Sequence, residues 1–188
     1  MQSSLAFILH SRPYKETSAL VDLFTPDGRV RAVLRSARGK HGSVARPFSL
    51  LDIELRGRSE LKSISRIEPA GEFNFLQGQV LFCAMYLNEL LVRLLPLDDP
   101  QPQLFEHYSL SIQGLAHGLA MQPLLRSFEW RLLEQLGYGF SFTEDVHGQA
   151  LQGQMLYRLV PQSGFEAVPL VQSGVFQGAD ILALAAAD

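Results

Sequence analysis

The chain holds one cysteine, Cys83, among 188 residues. A single thiol excludes an intramolecular disulfide and a thiolate zinc cluster, and it fits a reducing compartment. Long hydrophobic runs are lacking as well. The most apolar zone, Val80–Leu95, is interrupted by Asn88, Glu89 and Arg93, too polar a run to span a bilayer. The opening MQSSLAFILHSRPYKE has no basic n-region of a signal peptide. A soluble, cytoplasmic protein without a membrane anchor is expected. The last shortage is local: RVRAVLRSARGKHGSVARPF, Arg29 to Phe48, contains no Asp or Glu, although the protein carries a formal charge of −3.

What is present is unevenly spread. Residues 1–75 hold 12 Lys/Arg against 8 Asp/Glu, and residues 76–188 hold 4 against 11. A basic half followed by an acidic half points to two domains, one of which meets nucleic acid. Hydrophobic residues make up 47% of the chain, enough for a filled core and too many for wholesale disorder.

The first 70 residues read as short strands. Leu5–Leu9 is a compact apolar run. Ser18–Thr25 is rich in β-branched and aromatic types and ends at Pro26–Gly28, a turn in which Pro presets φ and Gly accepts φ > 0. Arg29–Ser36 follows at once and predicts a hairpin. Ser49–Gly57 alternates, with Leu51, Ile53 and Leu55 inward, and Leu61–Ile67 makes a fifth strand. Five short strands in this length predict a small barrel or Greek-key sheet.

From Leu76 the apolar period becomes helical. Val80–Leu95 is apolar around most of its circumference, so a buried helix is expected, stopped by Pro96. Leu104–Leu119 and Pro123–Gly139 predict two more helices, the latter with Pro in its first turn and Gly137 and Gly139 at its stop. MLYRLV and FEAVPLVQ around PQSG predict a small hairpin. A further helix begins at GADILALAAAD and runs uncapped to Asp188, as expected of a chain cut short. Domains at 1–75 and 76–188 follow.

Nothing specific supports an enzyme. His10, His41, His107, His117 and His147 form no close ligand pair, GKHGS lacks the framing of a phosphate loop, GYGFSF follows a helix where a dinucleotide site needs a strand, and no GxSxG is present. The pairs Asp98–Asp99 and Glu144–Asp145 read as solvated loop charge. No catalytic residue, metal ligand or cofactor is expected.

The acid-free stretch is different. Strand alternation puts Arg29, Arg31 and Arg35 on one face, with Val30, Ala32 and Leu34 toward the core. Three unpaired guanidinium groups side by side call for solvent or an anion. Arg38, Lys40 and Arg46 continue the charge into a loop in which Gly39 and Gly42 permit flexing and close backbone approach. A barrel with such a face predicts a groove for single-stranded nucleic acid; an edge strand protected by charge is the plainer alternative. Tyr14, Phe24 and Phe48 flank the region as stacking or core residues.

Four separated motifs resemble the RecO family of DNA repair proteins: HSRPYKETSALVDLFTPDGRVRAVLRSARGK, RPFSLLDIELRGRSELKSISRIEP, YLNELLVRLLPLDDPQPQLFEHY and LRSFEWRLLEQLGYG. The resemblance implies an α+β protein of several domains, with an N-terminal five-stranded OB-fold barrel followed by an α-helical domain with a small β-hairpin insertion. It implies binding of single- and double-stranded DNA, annealing of complementary strands, and work with RecR, and in many bacteria RecF, to load RecA onto DNA coated by single-stranded DNA-binding protein. It implies an apolar pocket for the Phe-ended acidic tail of that coating protein, with Arg126 helping to hold the carboxylates; the plainer reading of Arg126 is an exposed helix residue paired with Glu129. Many members carry a four-cysteine zinc site after LGYG. FSFTEDVHGQALQGQMLYRLV has no cysteine, so a zinc-free version held by packing is expected. A generic OB-fold RNA-binding or protein-interaction adaptor is the competing reading.

Overall fold

The computed structural model describes residues 2–37, 39, 41–57, 59–72, 74–171 and 173–186. Contacts gather the chain into two compact units, Met1–Leu132 and Leu133–Asp188. The barrel and the first helices share one interior.

In the first unit, β1 (Gln2–Tyr14), β2 (Ser18–Thr25), β3 (Gly28–Leu34), β4 (Leu51–Arg56) and β5 (Leu61–Pro69) close a barrel in the order β1-β2-β3-β5-β4. The expected OB-fold barrel is what forms. All neighbours are antiparallel except β3 and β5, whose parallel register sets Ala32 beside Lys62. Alternation fills the interior: Ala6, Ile8, Val21, Leu23, Ala32, Leu34, Leu51 and Ile53 are buried together. Strand β1 runs well past the apolar Leu5–Leu9. A bulge between Ile8 and His10 ends the core-facing pattern, and His10–Tyr14 pair with Ser18–Asp22 as a ribbon. Residues 10–13 are exposed, so no hydrophobic period marked this half of the strand.

Helices α1 (Gly78–Leu94), α2 (Pro102–Ala116) and α3 (Met121–Gln135) follow. Phe7 and Phe24 of the barrel pack on Phe105 and Tyr108 of α2 with ring centroids 5.0–5.9 Å apart, and Tyr108 meets Phe128 of α3 at 6.2 Å. A polar relay runs through the same interior: the Tyr108 hydroxyl donates to Asn88 Oδ1, and Asn88 Nδ2 donates to the Leu9 carbonyl of β1 at 2.8 Å. Burial drives the Tyr108 hydroxyl far above its ordinary pKa, so it stays a donor. Asn88 satisfies both amide ends at once, as a buried amide must.

Helix α1 corrects one expectation. It buries Ala84, Leu87, Asn88 and Leu91 on one face, while Phe82 is 69% and Met85 53% exposed. The second apolar face borders a groove of about 720 Å³ against β1 and Pro47–Phe48.

The second unit carries β6 (Leu156–Val160), β7 (Gly164–Val168), β8 (Val175–Gln177) and α4 (Gly178–Ala185). The expected hairpin forms from β6 and β7, and β8 adds to the other side of β6. Leu151, Tyr157, Phe165 and Ile181 make its core, with Phe140 and Phe142 on Phe165 at 5.4 and 5.8 Å. Arg158 and Glu166 stand directly opposite and pair across the strands. Among the described residues no helix is long and apolar enough to cross a membrane.

Candidate nucleic-acid interface

The three arginines of the β3 face meet three different environments. Arg29 is buried. Its Nη1 pairs with Asp22 of β2 at 2.9 Å, and its Nε donates to the Leu95 carbonyl at the end of α1 at 3.1 Å. The last carbonyls of a helix have no partner within it, and Arg29 supplies one. The loop after α1 then returns along β3: Asp98 N donates to the Arg29 carbonyl, and a Cβ on Gly28, at φ 105°, would stand 2.2 Å from the Asp99 carbonyl oxygen. Arg31 is exposed and lies 3.5 Å from Asp22 and 3.4 Å from Glu60. Three unpaired guanidinium groups in a row are therefore not what the strand presents. Asp22 of β2 and Glu60, just before β5, supply acids that the linear stretch lacks.

Arg35, just past the end of β3, is exposed and borders a groove of about 640 Å³ on the barrel. Three more cations line it, each from another segment: Lys15 in the β1–β2 turn, Arg56 at the end of β4, and Lys62 of β5. Among the described lining residues there is no carboxylate. The parallel β3–β5 pairing closes the barrel and is what brings Lys62 near Arg35. On β4 the outward row is Asp52, Glu54, Arg56. The first two pair with Arg66, together with Glu68, and only Arg56 reaches the groove. The Ser3 hydroxyl bond, reinforced by Arg66, holds the Asp52 carboxyl below its ordinary pKa. Acid and base are thus sorted between two faces of one barrel. Lys62 is half-buried and its ammonium pairs with Asp98 at 2.5 Å.

The groove mouth is held by unusual backbone. Lys15 (φ 54°) and Ser36 (φ 53°) both occupy the left-handed region without being glycine, and Ala37 N bonds to the Thr17 carbonyl at 2.9 Å between them. Such conformations cost free energy and gather at binding sites. The following loop closes on itself. A Cβ on Gly42 would meet the Ala37 carbonyl at 2.5 Å, His41 Nδ1 lies 3.0 Å from the Arg35 carbonyl, and Val44 and Ala45 pack on the barrel core. Close backbone approach is thus the role of Gly42 inside its own loop. Arg46 is exposed, and Arg38 and Lys40 lie outside the described residues.

The flanking aromatics separate. Phe24 and Phe48 are core, and Tyr14 is half-buried on the groove wall with Lys15 Nζ 5.4 Å from its ring centroid. Sequence reading missed Lys15, Arg56 and Lys62 as site residues. Each is an isolated cation in its own segment, and only strand order unites them.

On the helices, Arg126 is exposed and paired with Glu129, whose other oxygen accepts from the Tyr86 hydroxyl at 2.7 Å. That bond, with burial, raises the Tyr86 pKa. Tyr86 also lines the apolar groove beside Phe82 and Met85.

In the second unit the segment after LGYG is held by packing and by backbone hydrogen bonds. Phe140 and Phe142 pack on Phe165 there, and the Asp145 carboxylate is taken up by the backbone N–H groups of His147 and Gln149. Among the described residues no three His, Cys, Asp or Glu gather as a metal site.

Comparison with known proteins agrees with the motifs. Residues 1–73 match the family described as Recombination protein O N terminal, and residues 77–170 match Recombination protein O C terminal. Curated proteins named DNA repair protein RecO are similar over nearly the whole chain. That of Stutzerimonas stutzeri (strain A1501) is 60% identical over 183 residues, covering 97% of this chain and 78% of the relative. That of Pseudomonas aeruginosa PAO1 is 59% identical over 182 residues, with the same coverage. That of Pseudomonas putida (strain W619) is 61% identical over 183 residues, covering 97% and 81%.

Proposed function

The chain belongs to the RecO family of DNA repair proteins, and from that premise we propose that it binds single-stranded DNA in the barrel groove lined by Lys15, Arg35, Arg56 and Lys62. Its general role is DNA repair and recombination. The observation that carries the finer reading is the groove itself: four cations from four segments, no carboxylate among the described lining residues, and about 640 Å³ of open space. A single strand carries phosphates along its length, and neutralising them releases condensed counterions. Duplex DNA meets the same surface through its phosphates alone. A cationic surface without an active site suffices to anneal two repelling strands, so the reading needs no catalytic residue and no nucleotide hydrolysis.

The wider role in this reading is that of a recombination mediator in the bacterial cytoplasm, at the nucleoid. It works with RecR, and with RecF where present, to load RecA onto DNA coated by single-stranded DNA-binding protein. The acidic, Phe-ended tail of that coating protein docks on the helices. Its Phe enters the apolar groove at Phe82, Met85 and Tyr86, and its carboxylates share Arg126 with Glu129. Support comes from Tyr86, which lines that groove and bonds Glu129, so that apolar and cationic parts adjoin.

Fluorescence anisotropy with single-stranded DNA, single-stranded RNA and the tail peptide in parallel tests the reading. Tight DNA binding with peptide binding lost in Arg126→Glu alone is expected. Preference for RNA, or loss of DNA and peptide together in a folded Arg126→Glu variant, contradicts it.

A further inference from the structure

Tyr14 differs from the other two aromatics that flank the acid-free stretch. Phe24 and Phe48 are 0% and 7% exposed and complete the core, whereas Tyr14 stands half-buried on the groove wall. It is the one aromatic among the described lining residues of that groove. It closes the β1–β2 ribbon opposite Ser18, and the next residue, Lys15, is fixed in the left-handed region. Its ring thus lines the same groove as four cations, and the ammonium of one of them, Lys15, lies over it, 5.4 Å from the ring centroid.

We propose that Tyr14 is the base-stacking platform of the groove and the residue that makes it favour single strands over duplex. The inference rests on the groove being the nucleic-acid site. Cations grip phosphates whether a strand is single or paired. An aromatic face gains a partner only from a base free of its own stack, because duplex bases are stacked on both sides. Electrostatics therefore supplies affinity for either form, and Tyr14 supplies the difference between them. Stacking of this kind tolerates any base, since every base has a π-face.

The test compares the full chain with Tyr14→Ala, Tyr14→Leu and Tyr14→Phe by anisotropy across a series of salt concentrations, with affinities compared at equal salt. The probes are a labelled oligothymidylate, an abasic single strand of equal length, and a duplex. Tyr14→Ala and Tyr14→Leu are expected to weaken oligothymidylate binding about tenfold. Binding of duplex and of abasic strand stays within about twofold, the salt slope is unchanged because no charge is lost, and Tyr14→Phe restores wild-type affinity. Tyr14→Leu keeps the test valid if the alanine variant misfolds, since it retains apolar bulk without a π-face. Equal losses on all three probes, or no loss on oligothymidylate, overturn the proposal. Arg35→Ala, run alongside, separates the two readings: an unchanged salt slope there removes the groove assignment itself, whereas a reduced slope with an indifferent Tyr14 removes only the stacking platform.

Discussion

Arg29 and Arg35 stand six residues apart with the same strand parity, one at each end of β3, and the fold treats them in opposite ways. Arg29 is enclosed by β2 and the end of α1, bonded to Asp22 and to the Leu95 carbonyl. Arg35 opens onto the groove. At one end an arginine substitutes for missing helix hydrogen bonds; at the other it joins cations brought from separate segments. Charge in a sequence therefore has two destinations, and partners distant in the chain decide which. Asp22 is seven residues from Arg29 and Leu95 is sixty-six away.

The largest effect expected from breaking this contrast is at the enclosed end. Arg29→Ala leaves a helix-end carbonyl unpaired and Asp22 with only its longer contact to Arg31, and it should cost about 3 kcal/mol in denaturant unfolding. The salt slope of DNA binding by the folded fraction should not change. Arg35→Ala should do the reverse: stability within about 0.5 kcal/mol of wild type, and a salt slope shallower by about 0.7. Similar stability losses in both variants would remove the distinction.

The buried relay comes next. Tyr108→Phe strips Asn88 Oδ1 of its donor inside the interior shared by barrel and helices, at a cost of about 1–3 kcal/mol. Urea unfolding followed at both barrel and helix reporters should shift together, because one core holds both. A helix-only transition would contradict the shared core.

How far the sequence foretold this differs by element. Strand β2 (Ser18–Thr25) was legible to its ends, because alternation and the Pro26–Gly28 turn bound it on one side and the core on the other. The outer half of β1 was not, since His10–Pro13 bury nothing and so carry no period. The acid-free stretch drew attention to Arg35, which lines the groove. It gave Arg29 the wrong surroundings because Asp22 and Leu95 lie outside it. Lys15, Arg56 and Lys62 could not be gathered without the β1-β2-β3-β5-β4 order. The buried Asn88 in an apolar helix was the one sequence signal of the relay, and its partners Leu9 and Tyr108 were unreadable without packing.

Two smaller effects sharpen the contrast between the acidic and basic faces of the barrel. Asp98→Asn releases Lys62 into the groove and should tighten single-strand binding about two- to fivefold, an effect absent in a Lys62→Met background. On the Arg66 face, Asp52 is held below its ordinary pKa, first by Ser3 and then by Arg66. A depressed carboxylate contributes stability above its unfolded pKa and loses it as pH falls through the folded value. Ser3→Ala should move the Asp52 titration upward, read from its carboxyl carbon shift by NMR, without altering DNA binding at neutral pH.

The central claim is that Lys15, Arg35, Arg56 and Lys62 together form the nucleic-acid groove, and the most direct measurement is a salt titration of single-strand binding by the wild type and by the variant with all four replaced by alanine. Four single-strand phosphate contacts contribute a log–log slope of about −3. The variant, with its folded spectrum intact, is expected to lose a contribution of that size. A slope equal to that of the wild type would contradict it.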